Sequence, residues 1–470
     1  MHTGPRVSLL ALTSIALLAL AGCGGGTTAN PSTPVVHGDW TWVSGSNSVN
    51  QFGSYGTQGI AAPSNTPGSR VYACSGTDKS GNFWLFGGFG DAASSGRDLN
   101  DLWKYSNGEW TWVSGSNQTE QPGIYGTKGV PAPGNVPGGR QSHLCWIDTS
   151  GSLWVFGGVG IDSTGTRGDL NDLWKYSDGQ WTWMSGSNTT TASVSPSGVY
   201  GTQGIAAPGN VPGARYNASS WIDSTGNLWL FGGFGWDSTG TPGNLNDLWK
   251  YSAGEWTWIA GSNLILQPGV YGTQGTPAPG NTPGARFSAA AWADAEGNLW
   301  LFSGEGDSSA GIYCPASPCT LNDLWRYTTA GWTWMGGTNA YNQLGIYGTQ
   351  GVAALGNIPG GRTSATTWTD AAGNFWLFGG LGMSSTLVFG DLNDLWKYSN
   401  GQWTWVSGSN LAAQAGAYGT QGTPAATNVS GCRDGAVGWA DTSGNLWLFG
   451  GQQIYCVGMG DFNDLWEYQP

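Results

Sequence analysis

The chain has 470 residues and a formal net charge of −13, and only 10% of its residues are charged. Its 82 glycines and 30 tryptophans indicate a β-protein that buries large rings, and they exclude a disordered chain. The acidic balance argues against nucleic acid and against anionic lipid head groups as partners.

The N-terminus is predicted to be an export signal. Arg6 supplies the positive region, and the apolar stretch that follows over 7–20 is too short for a membrane span. The Leu-Ala-Gly-Cys run that ends at Cys23 resembles a bacterial lipobox, in which the cysteine is diacylated. An ordinary cleaved signal peptide is the alternative. We expect a signal over 1–22, a flexible tether over 23–38, and a lipoprotein held in the bacterial cell envelope, periplasmic or surface-exposed, through its lipid alone.

Six repeats of one pattern fill residues 39–470. Each repeat has a Trp-Thr-Trp strand, a long Gly/Pro loop, an Arg-led strand, a hydrophobic strand ending in Gly-Gly, and an Asn-Asp-Leu-Trp strand. The last of these units begins at Asn100, Asn171, Asn246, Asn322, Asn393 and Asn463, so the period is 70–76 residues. Such a period, filled with short aromatic strands and glycine turns, indicates a radial or stacked β-array.

The second repeat illustrates the predicted pairing. Strands are expected over 140–148, 153–158, 170–176 and 180–185, and tight turns join the first to the second and the third to the fourth. Tight turns connect antiparallel neighbours, so each repeat is a four-stranded meander. One such sheet cannot bury both faces, but six packed around an axis can. The predicted fold is therefore an all-β, six-bladed β-propeller of four-stranded antiparallel blades.

The two ends of the repeat region predict how the ring closes. The last repeat has no Trp-Thr-Trp strand after it, and the first such strand has no Asn-Asp-Leu-Trp strand before it. We expect the strand over 39–44 to pair with the strand over 462–468. This pairing would complete the sixth blade and bury two otherwise open edges.

These strands resemble those of kelch-repeat β-propellers over nearly the whole of 39–470. The Gly-Gly pairs begin at Gly87, Gly157, Gly232, Gly379 and Gly450, whereas the fourth repeat has Ser303-Gly304. The resemblance implies the propeller fold. It implies little about function, because kelch rings host many unrelated functions.

The kelch resemblance also raises two enzymatic activities. A galactose-oxidase-type copper site needs two histidines, but His143 is the only histidine inside the ring, so we expect no metal and no cofactor. A sialic-acid mutarotase would need an acid or base, for which Glu305 is the only unrepeated glutamate available. Because no acid, base and nucleophile converge, we expect a binding module. A carbohydrate-active enzyme such as a mutarotase or epimerase is the alternative.

The two long connections of each repeat are predicted to share one face, called here the long-loop face. Loops on a rigid scaffold commonly carry binding residues, and those after Gly-Gly differ between repeats. Their aromatic, acidic and amide residues suit either a glycan or a protein partner of a monomeric module. The candidate ligand-binding residues are Phe89, Asp91, Trp236, Asp237, Glu305, Gln452, Gln453 and Tyr455. Trp236 is the one tryptophan outside the repeat pattern and is the expected anchor.

Six arginines lead the inner strands on the same face. They are Arg70, Arg140, Arg215, Arg286, Arg362 and Arg433. A ring of guanidinium groups could bind carboxylates of a ligand bidentately. Alternatively, each arginine pairs with a repeat aspartate such as Asp101 or Asp172 and holds neighbouring blades. Sixfold repetition favours the second interpretation.

Lipidation would leave six cysteines, an even number that is compatible with disulfides in an exported protein. The candidate disulfides are Cys314–Cys319, within one loop, and Cys432–Cys456, near strand ends of the last repeat. Cys74 and Cys145 lie on corresponding strands of neighbouring repeats but one position out of step, so their pairing stays open.

Overall fold

The computed structural model describes residues 38–191, 194–309, 318–456 and 458–470. These residues form strands, turns and loops, and none of them belongs to an α-helix. Accordingly, no helix in this part of the chain is long and apolar enough to cross a membrane. The export signal and Cys23 lie outside the described residues.

The first strand, β1 (Trp40–Ser44), belongs to the last sheet, and five sheets precede that sheet along the chain. Sheet 1 contains β2 (Arg70–Val71), β3 (Cys74–Thr77), β4 (Phe83–Asp91), β5 (Gly96–Ser106) and β6 (Glu109–Ser114). Sheet 2 contains β7 (Arg140–Gln141), β8 (Leu144–Ile147), β9 (Leu153–Ile161), β10 (Arg167–Ser177) and β11 (Gln180–Ser185). Sheet 3 contains β13 (Ser219–Ile222), β14 (Leu228–Phe231), β17 (Leu248–Ser252) and β18 (Glu255–Ala260), extended by β12 (Arg215–Tyr216), β15 (Phe234–Trp236) and β16 (Pro242–Asn244).

The second half of the chain repeats this order. Sheet 4 contains β20 (Ala290–Ala293), β21 (Leu299–Phe302), β23 (Leu324–Thr328) and β24 (Gly331–Gly336), extended by β19 (Arg286–Phe287) and β22 (Glu305–Gly306). Sheet 5 contains β25 (Arg362–Thr363), β26 (Thr366–Thr369), β27 (Phe375–Met383), β28 (Phe389–Ser399) and β29 (Gln402–Ser407). Sheet 6 contains β30 (Val437–Ala440), β31 (Leu446–Phe449), β34 (Leu465–Tyr468) and β1, extended by β32 (Gln452–Gln453) and β33 (Gly460–Asp461). Neighbouring strands are antiparallel in every sheet, and in sheet 6 the outermost strand is β1 from the other end of the chain.

The expected four-stranded meander is present in sheet 2, with one difference. The outer strand β11 coincides with the predicted range 180–185, and β9 and β10 extend beyond theirs. The expected single strand over 140–148 is divided at Ser142, whose φ is 55°. The division occurs because the Ser142 N–H donates to Tyr72 of sheet 1 instead of to its own sheet.

The interrupted position repeats in all six sheets and links each of them to the next. At this position the backbone N–H donates to the carbonyl of the equivalent residue in the preceding sheet, over 2.7–3.1 Å, and the N–H of sheet 1 donates to sheet 6. The six residues are Tyr72, Ser142, Asn217, Ser288, Ser364 and Gly435. All six residues have positive φ. Gly435 is required in this ring, because a Cβ there would collide with Val71 and Tyr72 of sheet 1.

Six apolar clusters fill the six seams between consecutive sheets, including the seam between sheets 6 and 1. The repeated tryptophans dominate them: Trp256 is 1% exposed and packs on Phe156 of the preceding sheet, with ring centroids 5.4 Å apart. Burying such a ring stabilises the fold by roughly 1.5–3 kcal/mol relative to leaving it exposed. Each sheet therefore depends on both of its neighbours.

The N-terminal strand completes sheet 6. Trp40 pairs with Tyr468 and Trp42 with Trp466 in an antiparallel ladder. The Trp40 ring also packs on Phe378 of sheet 5 at 5.4 Å. The outer edge of β34 is thus covered by the opposite end of the chain.

Candidate functional site

The six repeat arginines are interior groups. In repeat 2, the guanidinium of Arg140 binds both Asp172 oxygens at 2.7 Å and the carbonyls of Gly138 and Gly157 at 3.1 Å. Asp172 also accepts from the Tyr125 hydroxyl at 2.6 Å and from the indole of Trp174. The buried pairs are Arg70–Asp101, Arg140–Asp172, Arg215–Asp247, Arg286–Asp323, Arg362–Asp394 and Arg433–Asp464.

This geometry corrects the idea of an arginine ring open to a ligand. The arginine side chains are 0–1% exposed, and their donors are occupied by a carboxylate and by carbonyls. Each pair joins the first and third strands of one sheet, so it also does not bridge neighbouring sheets directly. The tyrosine, such as Tyr125, fastens the loop that precedes sheet 2 to this pair by donating to Asp172. The set of arginine, aspartate, tyrosine and tryptophan in each repeat is therefore structural, and it fastens the first strand of each sheet to the third.

Asp237 is likewise committed to the fold. It is buried, and its Oδ1 accepts the backbone N–H groups of Thr239 at 2.8 Å and Thr241 at 3.0 Å, while Oδ2 accepts that of Ile265 at 3.3 Å. These bonds favour the charged form and lower the pKa of Asp237 even though burial acts the other way. Asp237 therefore shapes the turn after β15 and is not presented to a ligand.

Beside the repeated arginines lies a set of residues that differs in every repeat. We call it the variable row: the residue after each arginine and its partner on the second strand. The pairs are Val71–Phe89, Gln141–Val159, Tyr216–Phe234, Phe287–Glu305, Thr363–Leu381 and Asp434–Gln452. Three residues predicted from sequence, Phe89, Glu305 and Gln452, occupy equivalent positions in this row. Asp91 and Gln453, both half-buried, lie just beyond it on the second strands.

Sheets 3 and 4 contribute an aromatic patch to the variable row. Tyr216 and Phe234 stack with ring centroids 5.3 Å apart, and Phe287 meets Phe234 edge-on at 6.5 Å. All three rings are half-buried, and so is Glu305, the strand partner of Phe287. This arrangement places apolar ring surface next to a carboxylate.

Sheet 6 contributes a polar cluster. The Tyr72 hydroxyl donates to Asp434 Oδ1 at 3.2 Å, and the Gln452 amide donates to the same oxygen and to Tyr72, both at 2.9 Å. Asp434 is 1% exposed, and its Oδ2 has no hydrogen-bond partner among the described residues. Burial, with a smaller contribution from the Asp391 and Asp461 charges, raises the pKa of Asp434 to about 7.

Other carboxylates make this side of the row strongly acidic. Burial and the charge of Asp91 raise the pKa of Asp461 to about 6. Asp391 of sheet 5 accepts the backbone N–H groups of Ile454 and Tyr455 at 2.6 and 2.8 Å, and burial raises its pKa. A ligand that donates hydrogen bonds suits this environment.

Trp236 is less available than expected. Its indole N–H donates to Asp169 of sheet 2 at 2.9 Å, and the side chain is half-buried. It therefore links sheets 2 and 3 and is not a free anchor. The more exposed predicted aromatics are Phe89 and Tyr455, at 37% and 53%.

Among the residues that the structure describes, two pairs of cysteines form disulfides. Cys74–Cys145 joins β3 of sheet 1 to β8 of sheet 2, with the Cα atoms 5.8 Å apart, which settles the pairing that the sequence left open. Cys432–Cys456 closes the last loop of sheet 6, with the Cα atoms 6.7 Å apart and Asp391 beside it. Of the predicted Cys314–Cys319 pair, Cys314 lies outside the described residues.

The ring of six backbone hydrogen bonds borders a cavity of about 150 Å³. Tyr72, Ser142 and Asn217 line it together with His143, whose equivalents in the other repeats are alanines. Burial lowers the pKa of His143 to about 3, so the imidazole is neutral at physiological pH. The charge of Arg140 acts in the same direction, and Phe86 contacts the imidazole edge-on at 5.3 Å.

Sequence reasoning missed Asp434 and Tyr72. The available signal was the residue that follows each arginine: when the six repeats are aligned, only the last has an acid there. The pairing of Asp434 with Tyr72, 362 residues away, could not be read from that alignment. It depends on the contact between the last sheet and the first.

No protein-family model and no curated protein matches the chain. Among solved structures, the chain is similar to YjhT at 15% identity and a TM-score of 0.49, over 85% of this chain and 95% of that one. It is also similar to a fungal alcohol oxidase of the AA5 family in complex with copper, at 12% identity and a TM-score of 0.45, over 88% of this chain and 77% of that one. Neither similarity assigns an activity or a site residue to this chain.

Proposed function

We propose that the chain is an exported binding module, a six-bladed β-propeller closed by its N-terminal strand, that recognises a glycan through the variable row. The cyclic set of backbone hydrogen bonds, the six filled seams and the pairing of β1 with β34 support the closed ring. The Leu-Ala-Gly-Cys run supports attachment of the mature chain to the cell envelope through Cys23. Palmitate labelling that is lost in Cys23→Ser would test that attachment, and a soluble wild-type chain with a free N-terminal amine would contradict it.

One observation carries the binding function. The variable row differs in all six repeats, although the arginines and glycines around it repeat, so the fold does not demand its particular residues. It places the rings of Tyr216, Phe234 and Phe287 near Glu305 and, across the row, the amide of Gln452. Aromatic faces stack on the apolar faces of sugars, while carboxylates and amides bind the hydroxyl groups.

The test replaces residues of the row with those of another repeat. Tyr216→Gln with Phe234→Val installs what repeat 2 has at the same positions, Gln141 and Val159, so the backbone should accept it. We expect unchanged thermal stability and at least tenfold weaker binding to the glycans selected on an array. Phe52→Ala, at an exposed ring in the loop after β1, is the matched control and should bind normally. Full binding by the double variant, or a selected ligand that is a peptide, would contradict the glycan proposal.

The polar cluster favours a second candidate function, proton transfer to and from a bound sugar, as in a mutarotase or epimerase. A carboxyl with a pKa of about 7 can both accept and donate a proton near neutral pH, and because Asp434 is 1% exposed it would do so through the half-buried Tyr72 hydroxyl that donates to it. Anomer exchange of galactose and N-acetylneuraminate, followed by NMR, tests this candidate. Asp434→Asn should then slow exchange by about 10²-fold or more while sugar binding persists. Exchange at the solvent rate in the wild type, or exchange that depends on Glu305→Gln alone, would exclude Asp434 from this role.

A further inference from the structure

A second class of cleft lies away from the variable row, between the outer strands of neighbouring sheets. Three such clefts, at the seams between sheets 3 and 4, 4 and 5, and 5 and 6, have volumes of about 580, 400 and 510 Å³. We call them the outer clefts. These volumes fall within the range of about 300–1,000 Å³ that is typical of small-molecule sites.

The outer clefts are lined by residues at equivalent positions of successive repeats. Each is lined by a glutamine of the loop before its first sheet and by a glutamine of the loop after it. These pairs are Gln203 with Gln267, Gln274 with Gln343, and Gln350 with Gln414. The asparagine of the Asn-Asp-Leu-Trp unit also lines each cleft.

The chemistry of the lining is uncharged, although the protein has a net charge of −13. None of the described residues that line the three clefts is Asp, Glu, Lys, Arg or His. Apolar surface is contributed by residues such as Val270 and Ile346, each about half exposed, and by the half-buried rings of Tyr327 and Tyr398. Amides together with apolar and aromatic surface suit an uncharged ligand that carries hydroxyl groups.

Four of the six glutamines that line the clefts are held in position before any ligand arrives. Gln274 donates to the Met335 carbonyl at 3.0 Å, and Gln343 donates to the Tyr341 carbonyl at 2.9 Å. Gln267 and Gln414 make the same bond, at 2.8 Å, to the residue two positions earlier. A fixed amide loses little conformational entropy on binding, which favours affinity.

One seam of the protein lacks both glutamines and can be compared with the seams that have them. Both glutamines are present at five seams, the two further pairs being Gln58 with Gln121 and Gln421 with Gln51. At the seam between sheets 2 and 3, both are absent, and Lys128 and Pro196 take their places. Lys128 donates to the Gly186 carbonyl at 2.9 Å and lies 4.3 Å over the Trp183 ring. The fold therefore forms without either glutamine, so the glutamines are not required for the loop to pack.

We propose that the outer clefts bind an uncharged polysaccharide at several equivalent points around the protein, independently of the variable row. A polymer with a repeating unit can occupy more than one cleft at once, whereas a single sugar occupies one. Linked binding of this kind raises the overall affinity without new contacts, provided that the polymer can span the clefts.

Affinity electrophoresis of the mature chain tests the proposal. The gels contain a soluble α-glucan, a β-glucan, a galactomannan or an arabinoxylan, all uncharged. We expect retardation in at least one gel, little change (under about threefold in apparent affinity) for Gln343→Ala, and at least a tenfold loss when Gln267, Gln343 and Gln414 are all changed to Ala. Lys128→Ala, at the seam without glutamines, is the matched control and should be retarded like the wild type.

Two further variants separate the outcomes. If the triple alanine variant has a lower melting temperature, changing the same three glutamines to Met preserves side-chain length, removes the amide and should still cost at least tenfold in apparent affinity. Tyr216→Gln with Phe234→Val should be retarded normally, because it alters only the variable row. Absence of retardation in all four gels, full retardation of the triple alanine and triple methionine variants, or loss of retardation in the variable-row variant would each overturn the proposal.

Discussion

Replacement of Asp434 by asparagine measures the free energy of one buried ionisation. In the folded protein the carboxyl has a pKa of about 7, because it is buried and faces Asp391 and Asp461, while Gln452 and Tyr72 compensate only in part. In the unfolded chain an aspartate titrates near pH 3.9. The folded state therefore holds a proton on Asp434 over a pH range in which the unfolded chain has released it.

The sign and size of the effect follow from this difference. Because the pKa is raised on folding, the contribution of Asp434 to stability is fully present below pH 4 and is lost as pH rises through 7. A pKa of about 7 against about 3.9 corresponds to roughly 4 kcal/mol across that range. Asparagine keeps the acceptor for Tyr72 and Gln452 but cannot ionise, so the variant lacks this pH dependence.

The assay is urea denaturation followed by tryptophan fluorescence at pH 4, 5, 6, 7 and 8. Burial of the new amide adds a cost that is the same at every pH, so it cancels when two pH values are compared. We expect the stability of the variant, relative to wild type, to increase by up to about 4 kcal/mol between pH 4 and pH 8. Asp461→Asn, at a less buried carboxyl, should show a smaller increase. A difference between Asp434→Asn and wild type that does not change with pH would refute the buried ionisation.

Three further comparisons test the framework around the site. Trp256→Ala, in a filled seam, should cost about 3–5 kcal/mol in urea denaturation, whereas Trp236→Phe should cost only about 1.5–3 kcal/mol, the value of a hydrogen bond to a carboxylate. Arg215→Met should cost about 3–5 kcal/mol of stability because it leaves Asp247 buried and unpaired. Adding Asp247→Leu should recover part of this loss. An unchanged stability of Arg215→Met would contradict the buried pair. Deletion of 39–44 should abolish a single cooperative calorimetric transition, and an unchanged transition would mean that β1 is dispensable.

The strands were predictable because their signals are local. Alternating aromatic residues and turns with Gly and Asp define β11 at its full predicted length, and tight turns define the antiparallel order. The division of the first strand at Ser142 was not predictable in this way. Its cause is a hydrogen bond to a different sheet, and a local pattern contains no information about that partner.

The candidate site was predictable only in part, for the same reason. The loops after Gly-Gly led to Phe89, Glu305 and Gln452, which lie at equivalent positions of the variable row. That these residues bind a ligand stays a prediction. Exposure was misjudged for Trp236, since the sequence could not show that Asp169 takes up its donor. The pairing of the arginines with the repeat aspartates was predicted, but not that each pair lies within a single sheet. The perturbed carboxyl of Asp434 depends on burial and on neighbours from three other parts of the chain.

The sixfold repeat also explains why the variable row is free to differ. Each Arg–Asp pair, with its tyrosine and tryptophan, fixes the upper end of a sheet through groups that are entirely inside the protein. The residue after the arginine has its side chain on the other surface of the strand, so it takes no part in that unit. Valine, glutamine, tyrosine, phenylalanine, threonine and aspartate all occupy this position on the same backbone. The scaffold therefore tolerates aromatic residues on sheets 3 and 4 and acids on sheet 6 without having to change, and a ligand that needs both would contact opposite sides of the row.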